Sequence, residues 1–214
     1  MTDRPLSMEA DTPPGAPGRT LVLGIGNILW ADEGFGVRAV ETLHRDYAFP
    51  DDAVTVMDGG TQGLYLVQDV RAADNLLVFD AIDCGREPGA LMVVRGDEVP
   101  RFRGCRALSL HQTGFQDVLS AADLLGGAPT RLTLIGVQAG DLETWGGSLT
   151  GAVRARLDEA VRLALAELAA WGVASTRRAV PLRGPSQALV GHGIDLASYE
   201  AVPRPLADPA EGGG

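Results

Sequence analysis

Two kinds of segment alternate along this chain, and their alternation is the strongest constraint on its fold. Short apolar runs rich in β-branched residues are followed by segments whose apolar residues repeat at helical spacing. The run at 75–80 is almost continuously apolar, as expected of a central parallel strand. A strand, a crossover helix and a further parallel strand are the units of an α/β sheet. We predict an α/β fold with an open, twisted, mostly parallel sheet of about five strands and helices on both faces.

The same pattern predicts where each element lies. The predicted strands cover 21–25, 54–57, 75–80, 91–94 and 132–137, and the predicted helices cover 32–47, 64–70, 112–125 and about 150–172. Apolar residues from Val153 to Leu168 form one stripe of the last helix, and Gly172 follows as a left-handed stop.

Proline marks the ends of the predicted domain. Of 13 prolines, four lie in residues 1–18 and five in residues 175–214. We predict a disordered leader over 1–18, an α/β domain over 19–174 and a disordered, Pro/Gly-rich tail over 175–214. The tail is either a docking arm or dispensable.

Composition excludes several classes of protein. The 214 residues are 45% hydrophobic and carry a formal net charge of −10, which argues against binding to nucleic acid or to an anionic membrane. No apolar run is long enough to cross a bilayer, and residues 1–18 are polar and acidic, so we expect a cytoplasmic protein. Cys84 and Cys105 lack metal-binding spacing, and we expect both to be reduced.

The segment after the first strand resembles a nucleotide-binding turn only in part. Gly24 and Gly26 permit a sharp turn and a close approach by another group. A dinucleotide fingerprint needs a further glycine at position 29, which is Leu29. Asp32 and Glu33 would repel a phosphate and attract a cation. The sequence therefore favours a cation over a nucleotide.

Acidic residues follow three predicted strands. Asp32 and Glu33 come after the first strand, Asp58 ends the second, and Asp80 ends the third. Ligands bind beyond the carboxyl ends of such strands, and His111 precedes a predicted helix that starts near the same edge. One Glu, one Asp and one His would form a site for Zn or Ni with positions left open.

Each of these residues also has a structural interpretation. Asp58 and Asp80 are suited to capping turns or helices, and Asp32 and Glu33 to complementing a helix dipole. A hydrogen-bonded structural histidine is the alternative for His111. No serine or cysteine lies in a nucleophile elbow, so a Ser or Cys hydrolase is poorly supported.

Four motifs together resemble a known family. They are Gly24-Ile-Gly-Asn-Ile-Leu-Trp-Ala-Asp-Glu-Gly-Phe-Gly-Val-Arg38, Asp58-Gly-Gly-Thr-Gln-Gly63, Phe79-Asp-Ala-Ile-Asp83 and Ser109-Leu-His-Gln-Thr-Gly114. In order and spacing they resemble the [NiFe]-hydrogenase maturation proteases, which remove a C-terminal peptide from the hydrogenase large-subunit precursor after nickel insertion. The resemblance covers about residues 20–172. The versions at 26–33 and 110–117 look most like the branch that serves membrane-bound uptake hydrogenases.

The resemblance implies a metal-binding and catalytic triad of Glu33, Asp80 and His111. The implied metal is nickel presented by the precursor, with other divalent metals able to occupy the isolated site. Hydrolysis would use a metal-bound water or a carboxylate base, Asp80 or less favourably Asp58, as in an aspartic-type endopeptidase. Two rival classes stay open: a non-cleaving, nickel-dependent assembly chaperone of the same precursor, and an unrelated nucleotide-binding protein.

Overall fold

A five-stranded sheet forms the centre of the molecule. The computed structural model describes residues 18–49, 54–99, 110–183, 187–191 and 193–201, without the side chains of 110–114 and 200. The strands are β1 Thr20–Ile25, β3 Val54–Gly60, β4 Asn75–Ile82, β5 Leu91–Arg95 and β6 Arg131–Gln138. They lie in the order β3-β1-β4-β6-β5, and only β5 is antiparallel to its neighbour. The predicted α/β fold is confirmed.

Helices cover both faces of this sheet. They are α1 Phe35–Asp46, α2 Val67–Ala72, α3 Leu110–Leu124, α4 Gly151–Arg154, α5 Leu157–Ala170 and α6 Leu196–Ala201, with 3-10 helices at Ala31–Gly34, Gly63–Leu66 and Gly96–Glu98. Apolar residues of α1, α4 and α5 pack on one face, and those of α2 and α3 on the other. Burial of these two apolar layers is the main stabilisation of the fold. Among the described residues, no helix is long and apolar enough to cross a membrane.

The predicted last helix is interrupted. Ala155 still donates to the Gly151 carbonyl at 3.2 Å, but Arg156 donates to the nearer Val153 carbonyl at 2.9 Å, and a regular helix resumes at Leu157. The apolar stripe continues across this tightened turn, which is why its spacing alone predicts one helix. Gly172 has φ +84° and ends the segment, as predicted.

Glycines let the chain after β1 fold back tightly onto the end of that strand. A Cβ at Gly26 would lie 1.8 Å from the Glu33 carbonyl oxygen. One at Gly36 would lie 2.1 Å from the Ile25 oxygen and 2.3 Å from the Phe79 oxygen. The group that approaches the end of β1 is therefore the backbone of the 3-10 helix Ala31–Gly34 and of α1. This contact fixes Glu33 near the carboxyl edge of the sheet, the edge where the parallel strands end.

Replacing Gly36 with alanine should destabilise the protein by about 3 kcal/mol, since both clashes are with backbone atoms that side-chain rotation cannot relieve. Gly151 provides the control, because its Cβ would meet no atom within 4 Å at the start of α4. Gly151→Ala should leave stability unchanged or slightly raised. Urea unfolding of both variants tests this, and equal midpoints would contradict the close approach.

Residues after 175 pack against the domain where the structure describes them. Residues Thr176–Arg177 form β7, which pairs antiparallel with β2, Tyr47–Ala48. Arg38 of α1 donates to the Ile194 carbonyl at 2.7 Å, and Glu41 accepts from the Leu196 amide at 2.8 Å. These residues differ from the disordered tail predicted over 175–214, because polar groups of α1 bind their backbone. The predicted leader 1–18, apart from Gly18, lies outside the described residues.

Cys84 also differs from its prediction. It follows β4 and is disulfide-bonded in the structure, so the expectation of a reduced thiol is wrong for this residue. Cys105 lies outside the described residues.

Candidate functional site

Three adjacent strands bring carboxylates to one edge of the sheet. Strand β1 lies between β3 and β4, and Gly24 is in register with both Asp58 and Phe79. Asp80 is the next residue of β4, and Glu33 lies in the 3-10 helix that follows β1. The 3-10 helix also contacts β4. The sequence-predicted carboxylates therefore share the carboxyl edge.

Glu33 and Asp80 differ in burial. Glu33 is half-buried, and burial raises the pKa of its carboxyl group above the ordinary value. Asp80 is buried within β4. Residues alternate along β4 between the two apolar clusters, with Val78 on the α2 and α3 side and Phe79 on the α1 side. Asp80 therefore lies on the sheet face that α3 covers.

The first turn of α3 contains His111 and lies at the same edge. The C-terminal end of α3 is at the opposite edge, since Arg71 at the end of α2 donates to the Leu125 carbonyl at 3.0 Å. The 15 residues of α3 span about 22 Å, so its first turn lies at the carboxyl edge. In agreement, α3 contacts the 3-10 helix Gly63–Leu66, which follows β3 at that edge. The backbone thus brings position 111 towards Asp80. The side chain of His111 lies outside the described residues.

Asp32 has a structural role. It is fully buried and accepts four hydrogen bonds, from the amides of Gly140, Asp141 and Thr150 at 2.8, 2.9 and 2.7 Å and from Thr150 Oγ1 at 3.0 Å. Its side chain thus holds the loop that joins β6 to α4. The sequence predicts a cation ligand or a helix-dipole acid at Asp32. The loop contact has no local sequence signal, because its donors lie more than 100 residues away and three of the four are backbone amides.

Asp58 lies on the other face of the sheet from Asp80. Its register partner Gly24 faces Val40 of α1, and the charges of Arg38 and Glu41 act on the Asp58 carboxyl. Among the residues that the structure describes, Asp58 Oδ1 is buried without a hydrogen-bond partner, as is Nη2 of Arg38. Burial raises the pKa of Asp58, and the Gly60 amide and Arg38 oppose this in part. Asp58 is thus separated by the sheet from the face that carries Asp80.

Replacing Asp58 with asparagine should stabilise the protein at pH 7. A raised folded-state pKa means that the folded state binds the proton more tightly, so the stability of the natural protein falls as pH rises through that pKa. The variant should unfold at a higher urea concentration at pH 7. The difference in urea midpoint between the variant and the natural protein should disappear as pH falls through the folded-state pKa towards the unfolded value of 3.8.

The exposed Asp69 of α2 is the matched control for this titration. Asp69→Asn removes an exposed carboxyl group in place of a buried one, and Glu33 is present in all three proteins, so a pH-dependent difference in stability that is specific to Asp58→Asn reports the burial of Asp58. The contrary result is an Asp58→Asn protein that is less stable than the natural protein by the same amount at every pH. That result would show that burial of the ionised Asp58 carboxylate does not destabilise the fold.

Within the described residues, no group of three His, Cys, Asp or Glu side chains is arranged to hold a metal ion. The side chain of His111 is not among the described ones. Two carboxylates are hard oxygen donors and fit a divalent cation, and an imidazole would complete a site for Zn or Ni. The described part of the edge therefore contains two of the three residues predicted as ligands, and the metal site stays a prediction.

Comparisons with known proteins match this fold and sequence. The sequence model of the hydrogenase maturation protease family matches residues 37–167. The chain is 62% identical over 185 residues to the hydrogenase expression/formation protein HupD of Bradyrhizobium diazoefficiens, covering 86% of this chain and 95% of that protein. This chain belongs to the hydrogenase maturation protease family.

Other members of the hydrogenase maturation protease family agree. The Escherichia coli hydrogenase 2 maturation protease is 44% identical, with 75% of this chain and 96% of that protein covered. The solved structure of the E. coli hydrogenase maturating endopeptidase HybD matches at a TM-score of 0.70 and 43% identity, covering 75% of this chain and 98% of that one. The chain is accordingly a peptidase. The predicted family is confirmed, as is the branch that serves uptake hydrogenases, since HupD proteins of Bradyrhizobium diazoefficiens and Rhizobium leguminosarum are 62% and 58% identical to this chain.

Proposed function

We propose that this protein removes the C-terminal peptide from the nickel-loaded large-subunit precursor of a [NiFe]-hydrogenase. Family membership supports the reaction class. The observation that carries the proposal is that Glu33, Asp80 and the start of α3 lie at one edge of the sheet. This edge is where ligands of open α/β sheets bind.

Nickel belongs to the substrate in this proposal and is held mainly by cysteine thiolates of the precursor. Glu33, Asp80 and His111 are the residues that would fill its remaining ligand positions. A precursor without nickel would then lack the group that these side chains recognise. Other divalent metals are expected to bind the same residues in the isolated protein. Cleavage is thereby coupled to complete assembly of the metal centre, in the cytoplasm.

Hydrolysis requires a base that takes a proton from the attacking water. Asp80 is our candidate for this base, as the alternative to its role as a metal ligand, because it lies on the sheet face that α3 covers, whereas Asp58 lies on the α1 face. Lewis-acid polarisation of the scissile carbonyl is the chemistry that the metal of the substrate supplies. Gly59, Gly60 and Thr61, at the end of β3, would border the groove for the peptide.

Incubation with nickel-loaded precursor tests the proposal. The expected result is a released C-terminal peptide, identified by mass spectrometry. Binding of the precursor without release would instead support the second candidate, a nickel-dependent assembly chaperone, which needs the same ligands but no base. The names of the similar proteins favour the protease, since they include maturation proteases and endopeptidases.

A further inference from the structure

Large apolar side chains are exposed to solvent around the carboxyl edge. Tyr65 is 87% exposed, Trp145 63%, Leu64 61% and Leu29 37%. We call these four residues the apolar rim. Exposed aromatic and aliphatic residues that lie near one another on an ordered surface are characteristic of binding sites.

The rim residues lie in segments that follow strands ending at the edge with the two carboxylates. Leu29 follows β1, Leu64 and Tyr65 follow β3, and Trp145 follows β6. These strands run parallel, so the segments after them lie at the same edge as Glu33 and Asp80. The rim residues therefore lie at the same edge of the sheet as the site of the proposed reaction.

The structure holds Trp145 in its exposed position. Its ring packs edge-on against Trp30 with centroids 5.1 Å apart, and Trp30 and Trp145 form an isolated antiparallel bridge. The next amide, that of Gly146, donates to the Leu29 carbonyl at 2.7 Å. The loop is also fixed at Gly140, Asp141 and Thr150 by Asp32. A fixed aromatic side chain loses little conformational entropy on binding, which favours a contact that contributes strongly to affinity.

We propose that the apolar rim binds apolar protein surface of the precursor around the cleaved segment. This inference rests on the proposed function and adds the contact surface of the substrate. The occupant follows from the charge pattern, since an acidic centre within an apolar ring fits a protein surface that presents a cation among apolar side chains. Excluding water around that cation strengthens its attraction to Glu33 and Asp80. A free metal ion or a small peptide is too small to contact the apolar rim.

The opposite edge offers a matched control. Leu124, at the end of α3, is 87% exposed, as is Tyr65. It lies about 22 Å along α3 from the carboxyl edge. Truncating Leu124 therefore removes an equally exposed apolar side chain without touching the rim.

The test measures initial rates of precursor cleavage for the natural protein, Tyr65→Ser, Trp145→Ser and Leu124→Ser. We expect each rim variant to raise KM for the precursor at least about fivefold, with a smaller change in kcat, and Leu124→Ser to leave both unchanged. Unchanged KM in both rim variants, or an equal rise in Leu124→Ser, would overturn the proposal. Tyr65→Ser keeps the test valid if Trp145→Ser fails to fold, because the Tyr65 side chain is almost entirely in solvent.

Binding of the same proteins to the nickel-loaded precursor, measured by surface plasmon resonance, separates the two proposals. Binding by the natural protein without cleavage would overturn the protease, while weaker binding of the rim variants would still support the rim. Equal binding of all four proteins would overturn the rim and leave the protease in place. No binding by the natural protein would overturn both.

Discussion

Asp80→Asn and His111→Ala should each reduce peptide release from the nickel-loaded precursor by at least about a thousandfold. Asparagine keeps the size of the buried Asp80 side chain but removes the charge that a metal ligand or a base requires. Alanine removes the imidazole that would complete the ligand set. The measurement is single-turnover cleavage followed by mass spectrometry.

His44→Ala and Asp69→Asn are the controls for these substitutions. His44 lies in the last turn of α1, at the far edge of the sheet, and Asp69 is exposed on α2. Both variants should cleave within about twofold of the natural rate. A folded His111→Ala protein that processes precursor normally would contradict the triad. Loss of activity in Asp58→Asn with full activity in Asp80→Asn would move the base to the α1 face.

Asp32→Ala should have the largest effect on stability, lowering the free energy of unfolding by about 3 kcal/mol or more. The substitution leaves the amides of Gly140, Asp141 and Thr150 without their acceptor, and each buried donor without a partner costs about 1–3 kcal/mol. The total cost is smaller than the sum of the three, because water can bind the amides where the loop becomes exposed after the substitution. Urea unfolding at pH 7 gives the value.

Asp69→Ala is the control, because it makes the same substitution at an exposed position. It should change the free energy of unfolding by about 0.5 kcal/mol or less. A loss of under 1 kcal/mol in Asp32→Ala would show that the loop is held by other contacts. The same variant should raise KM for the precursor, because Trp145 belongs to the loop that Asp32 holds.

The sheet was predictable because its signal is local. Continuous apolar runs such as that of β4 identify central parallel strands, and the register then follows from burial. The meeting of Glu33, Asp58 and Asp80 at one edge follows directly from the parallel topology. The positions of Asp58 and Asp80 on opposite faces of the sheet depend on how side chains alternate along β3 and β4. The ends of the strands alone do not predict this.

Long-range polar contacts were not predictable. Asp32 binds backbone amides far along the chain, and amides leave no pattern in a sequence. The segment after 175 has the composition of a disordered tail, yet Arg38 and Glu41 bind its backbone at Ile194 and Leu196. In both cases the decisive partner is a main-chain group. The exposure of Trp145 likewise depends on the loop that Asp32 holds.

The central claim is that nickel in the precursor is the recognition element for cleavage. Its most direct test incubates the purified protein with nickel-loaded and nickel-free precursor in parallel and quantifies the C-terminal peptide by mass spectrometry. We predict release from the loaded precursor only. Equal release from the nickel-free precursor would contradict recognition through the metal.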